Sequence, residues 1–85
     1  AVRLTVVGHA DRLGNPESNQ GLSERRAETG KQLLVQEGIP ASSVTAYGRG
    51  STQPVTSCDA GLSRNQLIDC LRPDRRVEIE VNHQR

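Results

Sequence analysis

Ala1-Val2-Arg3-Leu4-Thr5-Val6-Val7-Gly8-His9-Ala10-Asp11 is the stretch on which the fold turns. Val2, Leu4 and Val6 alternate with Arg3, Thr5 and Val7, the period of two that marks a β-strand. Gly8 to Asp11 ends the run and leaves a carboxylate just past the strand, while Gly14-Asn15-Pro16 marks a turn. The period then changes. Spacing predicts a helix over Leu22–Glu37, with Gly38 at the position of a left-handed C-terminal residue and Pro40 barring continuation. On that helix Leu22, Ala27, Gly30, Leu33 and Leu34 fall in one sector; Arg26 lies inside it and Arg25 outside.

Ser43 to Tyr47 reads as a second strand, with Val44 and Ala46 facing one way, and Gly48-Arg49-Gly50-Ser51 as a flexible turn. Ser63 to Leu71 carries a short helical pattern with Ser63 as N-cap and Pro73 beyond its end. Arg76 to Val81 alternates strictly, placing Val77, Ile79 and Val81 inward and Arg76, Glu78 and Glu80 outward. Strand, helix, strand, short helix, strand is an α/β arrangement with the helices expected on one face of the sheet. The 85 residues form one domain, 1–85. Because the chain opens inside a strand pattern, a further strand and helix are expected ahead of it.

The composition restricts both core and function. Only 33% of residues are hydrophobic, with no Phe, Trp or Met and with Tyr47 the sole aromatic, so Val, Leu, Ile and Ala must build the core. So small a core yields few net kcal/mol, and an added staple is expected. A net charge of +1, from 11 basic and 10 acidic residues, provides no broad electrostatic footprint for nucleic acid or an anionic membrane. Gly48-Arg49-Gly50 is too short for an RGG tract and has no aromatic platform beside it. No apolar run approaches a membrane span, so no direct membrane insertion is expected of this segment.

Cys58 and Cys70 are the candidates for the staple. A metal site would need them to converge with His9 and His83, without any recognised ligand spacing. Two free thiols behaving as small hydrophobes are a second option. A disulfide is favoured; it would stabilise by about 3 kcal/mol and place the protein outside the cytosol. No cofactor is implied. His9 and Asp11 could do acid–base work, but no nucleophile elbow, metal-ligand motif or second catalytic carboxylate accompanies them, and no enzyme is expected.

Asp11, Arg26 and the Arg75-Arg76 pair are the candidates for a site. Asp and Arg are seldom buried unpaired, so an arginine in an apolar stripe needs an anion. One reading is an internal Asp11–Arg26 salt bridge in a structural or oligomerising module without a ligand. In the other, the fold holds the two apart to share a zwitterion: the planar fork of Arg26 takes a carboxylate, and Asp11 accepts from an ammonium. Asn19, in the loop between them, adds an amide that donates and accepts.

Gly8-His9-Ala10-Asp11, Asn19-Gln20-Gly21-Leu22-Ser23-Glu24-Arg25-Arg26-Ala27, Gly38-Ile39-Pro40, Tyr47-Gly48-Arg49-Gly50 and Pro73-Asp74-Arg75-Arg76-Val77-Glu78 occur in this order along nearly the whole chain. Together they resemble the OmpA-like C-terminal domain family, and with Cys58 and Cys70 its disulfide-bearing outer-membrane-protein subgroup. The resemblance implies a βαβαββ-type sandwich, lacking here its first strand and helix. It also implies a periplasmic location, as the soluble domain of a Gram-negative outer-membrane protein that anchors the outer membrane to the cell wall. The ligand it implies is the diaminopimelate of the peptidoglycan peptide stem, bound non-covalently. Asp11 and Arg26 match the two main ligand positions; Asn19 and Arg75 match secondary ones. Where the family has Gly-His-Thr-Asp, this chain has Gly-His-Ala-Asp, which removes a hydroxyl near the site. A homodimer is the further partner that so small a core allows.

Overall fold

β1 (Val2–Gly8) is the central strand, flanked by β2 (Val44–Gly48) and β3 (Val77–His83), in a computed structural model that describes residues 2–83. β2 runs parallel to β1, with Val44 opposite Leu4 and Ala46 opposite Val6. β3 runs antiparallel, with Val81 opposite Leu4 and Ile79 opposite Val6. Paired residues share a face, so one side of the sheet carries Leu4, Val6, Val44, Ala46, Ile79 and Val81. The other carries Thr5, Val7, Thr45, Tyr47, Glu78 and Glu80.

α1 (Pro16–Gln36) crosses from β1 to β2 and begins six residues ahead of the expected Leu22 start. Asn15 caps it, its Oδ1 accepting from the Glu17 N–H at 2.8 Å and the Ser18 N–H at 3.4 Å, and Pro16 occupies the first turn, where no backbone donor is needed. Hydrophobic periodicity missed these turns because the first half of α1 rests on polar and backbone atoms. Asn19, read as a loop residue, therefore lies on α1 and is buried. The helix stops as expected: Gly38 has φ +104°, and the Gly38 and Ile39 N–H groups donate to the Val35 and Leu34 carbonyls.

α1 lies on the apolar face of β1 and β2. Val6, Ala27 and Val44 form the buried centre, with Leu4, Leu34, Ile39 and Ala46 packed around them. The approach is close because a Cβ on Gly8 would collide with the Ser23 carbonyl oxygen, and one on Gly48 with the Ser23 hydroxyl. Ser23 is fully buried there; its Oγ accepts from the Gly50 N–H at 2.8 Å and donates to the Gln20 carbonyl at 2.8 Å.

β3 corrects the expectation that its apolar residues point into a core. Ile79 and Val81 do share the α1 side of the sheet, yet Val77, Ile79 and Val81 are 42%, 51% and 56% exposed. A helix about 10 Å across covers roughly two strands spaced about 4.8 Å apart, and α1 is centred over β1 and β2. Leu33, expected in the buried sector, is 59% exposed for the same reason. A groove of about 630 Å³ runs between α1 and β3, lined by Gly30, Leu33, Leu34, Val77 and Ile79, with arginines at one end.

α2 (Arg64–Cys70) also departs from the expectation, since it has no substantial contact with any strand and packs on the tight turn Arg72–Asp74. Ser63 caps it reciprocally with Gln66, as the sequence suggested. Cys58 and Cys70 are bonded across a separation of 12 residues. No helix is long and apolar enough to cross a membrane among the described residues.

Candidate functional site

Strand β1 ends at Gly8, and the segment His9 to Leu13 leaves the sheet between the middle of α1 and the start of β3. Asp11 anchors this segment. Its Oδ1 accepts the Leu13 N–H at 2.9 Å, and its Oδ2 meets Arg75 Nη1 at 2.7 Å. Both partners are largely buried, Asp11 at 12% and Arg75 at 25% side-chain exposure. Asn19, on the first half of α1, donates from Nδ2 to the Leu13 carbonyl at 2.9 Å. Arg26, one turn past Leu22, donates from Nη1 to the His9 carbonyl at 2.8 Å.

All the residues expected at the site thus converge on His9–Leu13, and the internal salt bridge of the alternative, ligand-free reading is absent. No Asp11–Arg26 ion pair forms among the described residues; the ionic partner of Asp11 is Arg75. The Arg72–Asp74 turn delivers Arg75 to the end of β1, whereas the guanidinium of Arg26 is committed to a main-chain oxygen. Arg26 is half-buried and Arg25 exposed, the register expected from the helical sector.

The electrostatic consequence is asymmetric. Arg75 has its counterion, while among the described residues the one hydrogen bond from the Arg26 side chain goes to a neutral carbonyl. Arg26 and Arg75 line the α1–β3 groove together with Arg25 and Arg76. Arg76 is tied to Glu78 (2.5 Å) and to the Gln53 carbonyl (3.1 Å). Its guanidinium holds the Glu78 carboxyl below the usual carboxylate range. Among the described residues neither Arg25 nor Arg26 has an internal anion; Arg25 is exposed, so Arg26 is the half-buried member of this cluster with free donors, a ready seat for a carboxylate. Asp11 keeps acceptor capacity beside it for an ammonium.

Sequence reasoning missed two supporting groups. Asp74 is 1% exposed and accepts the Val55 N–H (2.7 Å), the Thr56 N–H (3.1 Å) and the Thr56 hydroxyl (2.8 Å), tying the disulfide-bearing loop to the residue just before Arg75. Burial pushes its carboxyl up, but these hydrogen bonds outweigh burial and hold it below the usual range. Its place in Pro73-Asp74-Arg75-Arg76 gave no sign that it is buried. The other is His9, whose ring is buried with no hydrogen-bond partner for either nitrogen among the described residues. No cluster of three or more His, Cys, Asp or Glu side chains suited to a metal ion occurs among the described residues.

Comparison with known proteins agrees with this architecture. The family model described as the OmpA family matches residues 1–67. Outer membrane protein A of Escherichia fergusonii is 52% identical over 80 residues, covering 92% of this chain and 33% of that protein. Outer membrane protein A of Yersinia pseudotuberculosis serotype I is also 52% identical over 80 residues, covering 23% of that protein. The chain thus spans only about a quarter to a third of the length of these relatives. Among solved structures, the peptidoglycan-associated lipoprotein from Burkholderia pseudomallei superposes with a TM-score of 0.78 at 22% identity, over 95% of this chain and 63% of that one. The C-terminal domain of Helicobacter pylori MotB superposes at 0.79 with 24% identity, over 98% of this chain and 59% of that one. With a family model over most of its length and half its residues shared with outer membrane protein A, the chain belongs to the OmpA family.

Proposed function

We propose that this domain binds peptidoglycan non-covalently through the diaminopimelate of the peptide stem, in the periplasm, and so ties an outer-membrane protein to the cell wall. The observation that carries this reading is the half-buried guanidinium of Arg26, held on the His9 carbonyl beside the Asp11–Arg75 pair and without an anion of its own among the described residues. One end of diaminopimelate carries a carboxylate and an ammonium on the same carbon. The carboxylate docks on Arg26 and the ammonium on Asp11, with Asn19 and Arg75 keeping the His9–Leu13 segment in place. Membership of the OmpA family and the likeness to a lipoprotein named for its association with peptidoglycan support the reading. A binding module, not an enzyme, is what these residues make.

Co-sedimentation with purified sacculi tests it. Arg26→Gln should release the domain from the wall while leaving the fold intact, because the substitution strands no carboxylate. Arg64→Ala, on the exposed α2, should sediment like the parent. Retention of Arg26→Gln on sacculi would remove the site.

The exposed strip of Val77, Ile79, Val81 and Leu33 favours a second reading, in which a second copy of the chain covers it. Joining two β3 edges antiparallel about Ile79 would set Glu78 opposite the second copy's Glu80, a like-charge pair that opposes that route. Face-to-face packing of the strips remains as the homodimer to test. Sedimentation equilibrium distinguishes it: a concentration-dependent dimer supports a homotypic role, and a monomer throughout excludes one.

A further inference from the structure

His9 is 1% exposed at the end of β1, two positions before Asp11, and its main chain is fully engaged. Its N–H donates to the Arg76 carbonyl at 2.8 Å, and its carbonyl accepts Arg26 Nη1 at 2.8 Å. The ring is not so well provided for. Neither Nδ1 nor Nε2 has a hydrogen-bond partner within the described residues. The nearest carboxylate, Glu78 Oε1, stands 3.7 Å from Nε2, beyond hydrogen-bond reach, and that carboxylate is already bound to Arg76 Nε.

The charges around His9 come from three elements. Arg76 and Glu78 face it from β3 and its approach, Arg49 from the turn after β2, and Arg26 from α1 at the carbonyl. Glu78 is the one anion in this set. Burial first, and then Arg76, hold the imidazole below its ordinary value of 6.5, against the opposing pull of Glu78. At neutral pH the ring is uncharged. A proton on the ring makes Glu78 Oε1, the oxygen not held by Arg76 Nε, its nearest charge partner across 3.7 Å, and draws the charged ring toward β3. Closing that gap pulls on residue 9, whose carbonyl is the acceptor for Arg26.

We propose that His9 is a positioning residue for Arg26, and that its protonation loosens Arg26 and weakens the ligand site. This rests on the ligand reading above and adds its regulation. Uncharged His9 keeps its carbonyl aimed at Nη1; charged His9 does not. Acidified surroundings would then favour release from the ligand.

Titration with a diaminopimelate-containing muropeptide at pH 7 and at one pH unit below the midpoint of the His9 ring's own NMR titration, followed by amide NMR, tests the coupling. Affinity of the parent should fall about tenfold for each pH unit below the His9 value, because only the uncharged form is competent. His9→Gln, uncharged at both pH values, should show no fall; His83 is present in both proteins, so the difference isolates His9. Glu78→Gln, which removes the group favouring the charged ring, should move the fall to lower pH, and serves also if His9→Gln does not fold. Equal parent affinity at both pH values, or a fall in His9→Gln matching the parent's, would overturn the proposal. The Arg26 side-chain N–H signal separates the two readings without ligand. If the muropeptide fails to bind at pH 7 yet that signal is lost as the His9 ring titrates, the ligand reading fails and the positioning role stands. An Arg26 signal indifferent to the titration of His9 overturns the positioning role itself.

Discussion

Replacing Asp74 by Ala removes one small side chain but strands the Val55 N–H, the Thr56 N–H and the Thr56 hydroxyl, all of which it accepts. A hydrogen bond to a charged group contributes about 1.5–3 kcal/mol, and here the donors recover part of that from water because Val55 is exposed and Thr56 half-buried. The expected loss is about 2–4 kcal/mol, large for a domain this small. Urea unfolding followed by circular dichroism, with Cys58–Cys70 oxidised, measures it. The pH dependence adds a second, signed test. The folded carboxyl titrates below its ordinary range, so its stabilisation is complete above the unfolded value and is lost as pH falls through the folded one. Parent and Asp74→Ala should therefore differ most near neutrality and converge below about pH 4. A difference under about 0.5 kcal/mol at pH 7, or one unchanged down to pH 2, would refute the buried-clamp argument.

Two further outcomes follow from the packing. Replacing Cys58 and Cys70 together by Ser should cost about 3 kcal/mol, with NMR shift changes concentrated in the stretch from Ser51 to Asp74, because α2 lacks substantial strand contacts; changes spread evenly over β1 and β2 would contradict that separation. Gly8→Ala should destabilise by about 1–3 kcal/mol, since its Cβ meets the Ser23 backbone, whereas Gly61→Ala, with nothing within 4 Å, should change stability by less than about 0.5 kcal/mol in the same melts.

Local signals in the sequence located most of the elements. The alternation in Val2–Val7, the Gly38-Ile39-Pro40 stop, the Ser63 cap and the Cys58–Cys70 pair each depend on neighbouring residues alone, and each appears in the structure. What was not legible depends on layers. Whether Val77, Ile79 and Val81 are buried turns on how many strands one helix covers, which alternation within β3 does not encode. The start of α1 lay outside the apolar period because Asn19 and Ser23 are buried against backbone and polar atoms. At the site, Asp11, Asn19, Arg26 and Arg75 were all nameable, but the ionic partner was not. Arg26 was the arginine on the apolar side of the helix after Asp11, whereas Arg75 is 64 positions away and arrives only through the Arg72–Asp74 turn.

The central claim, that Arg26 and Asp11 form one zwitterion-binding site, is most directly tested by NMR titration of the labelled parent and Arg26→Gln with a diaminopimelate-containing muropeptide at pH 7. The account predicts parent shifts confined to His9–Leu13, Asn19, Arg26 and Arg75, and at least about tenfold weaker binding by Arg26→Gln, the loss of about one charged hydrogen bond. Shifts centred elsewhere, or equal affinity of the two proteins, would contradict it.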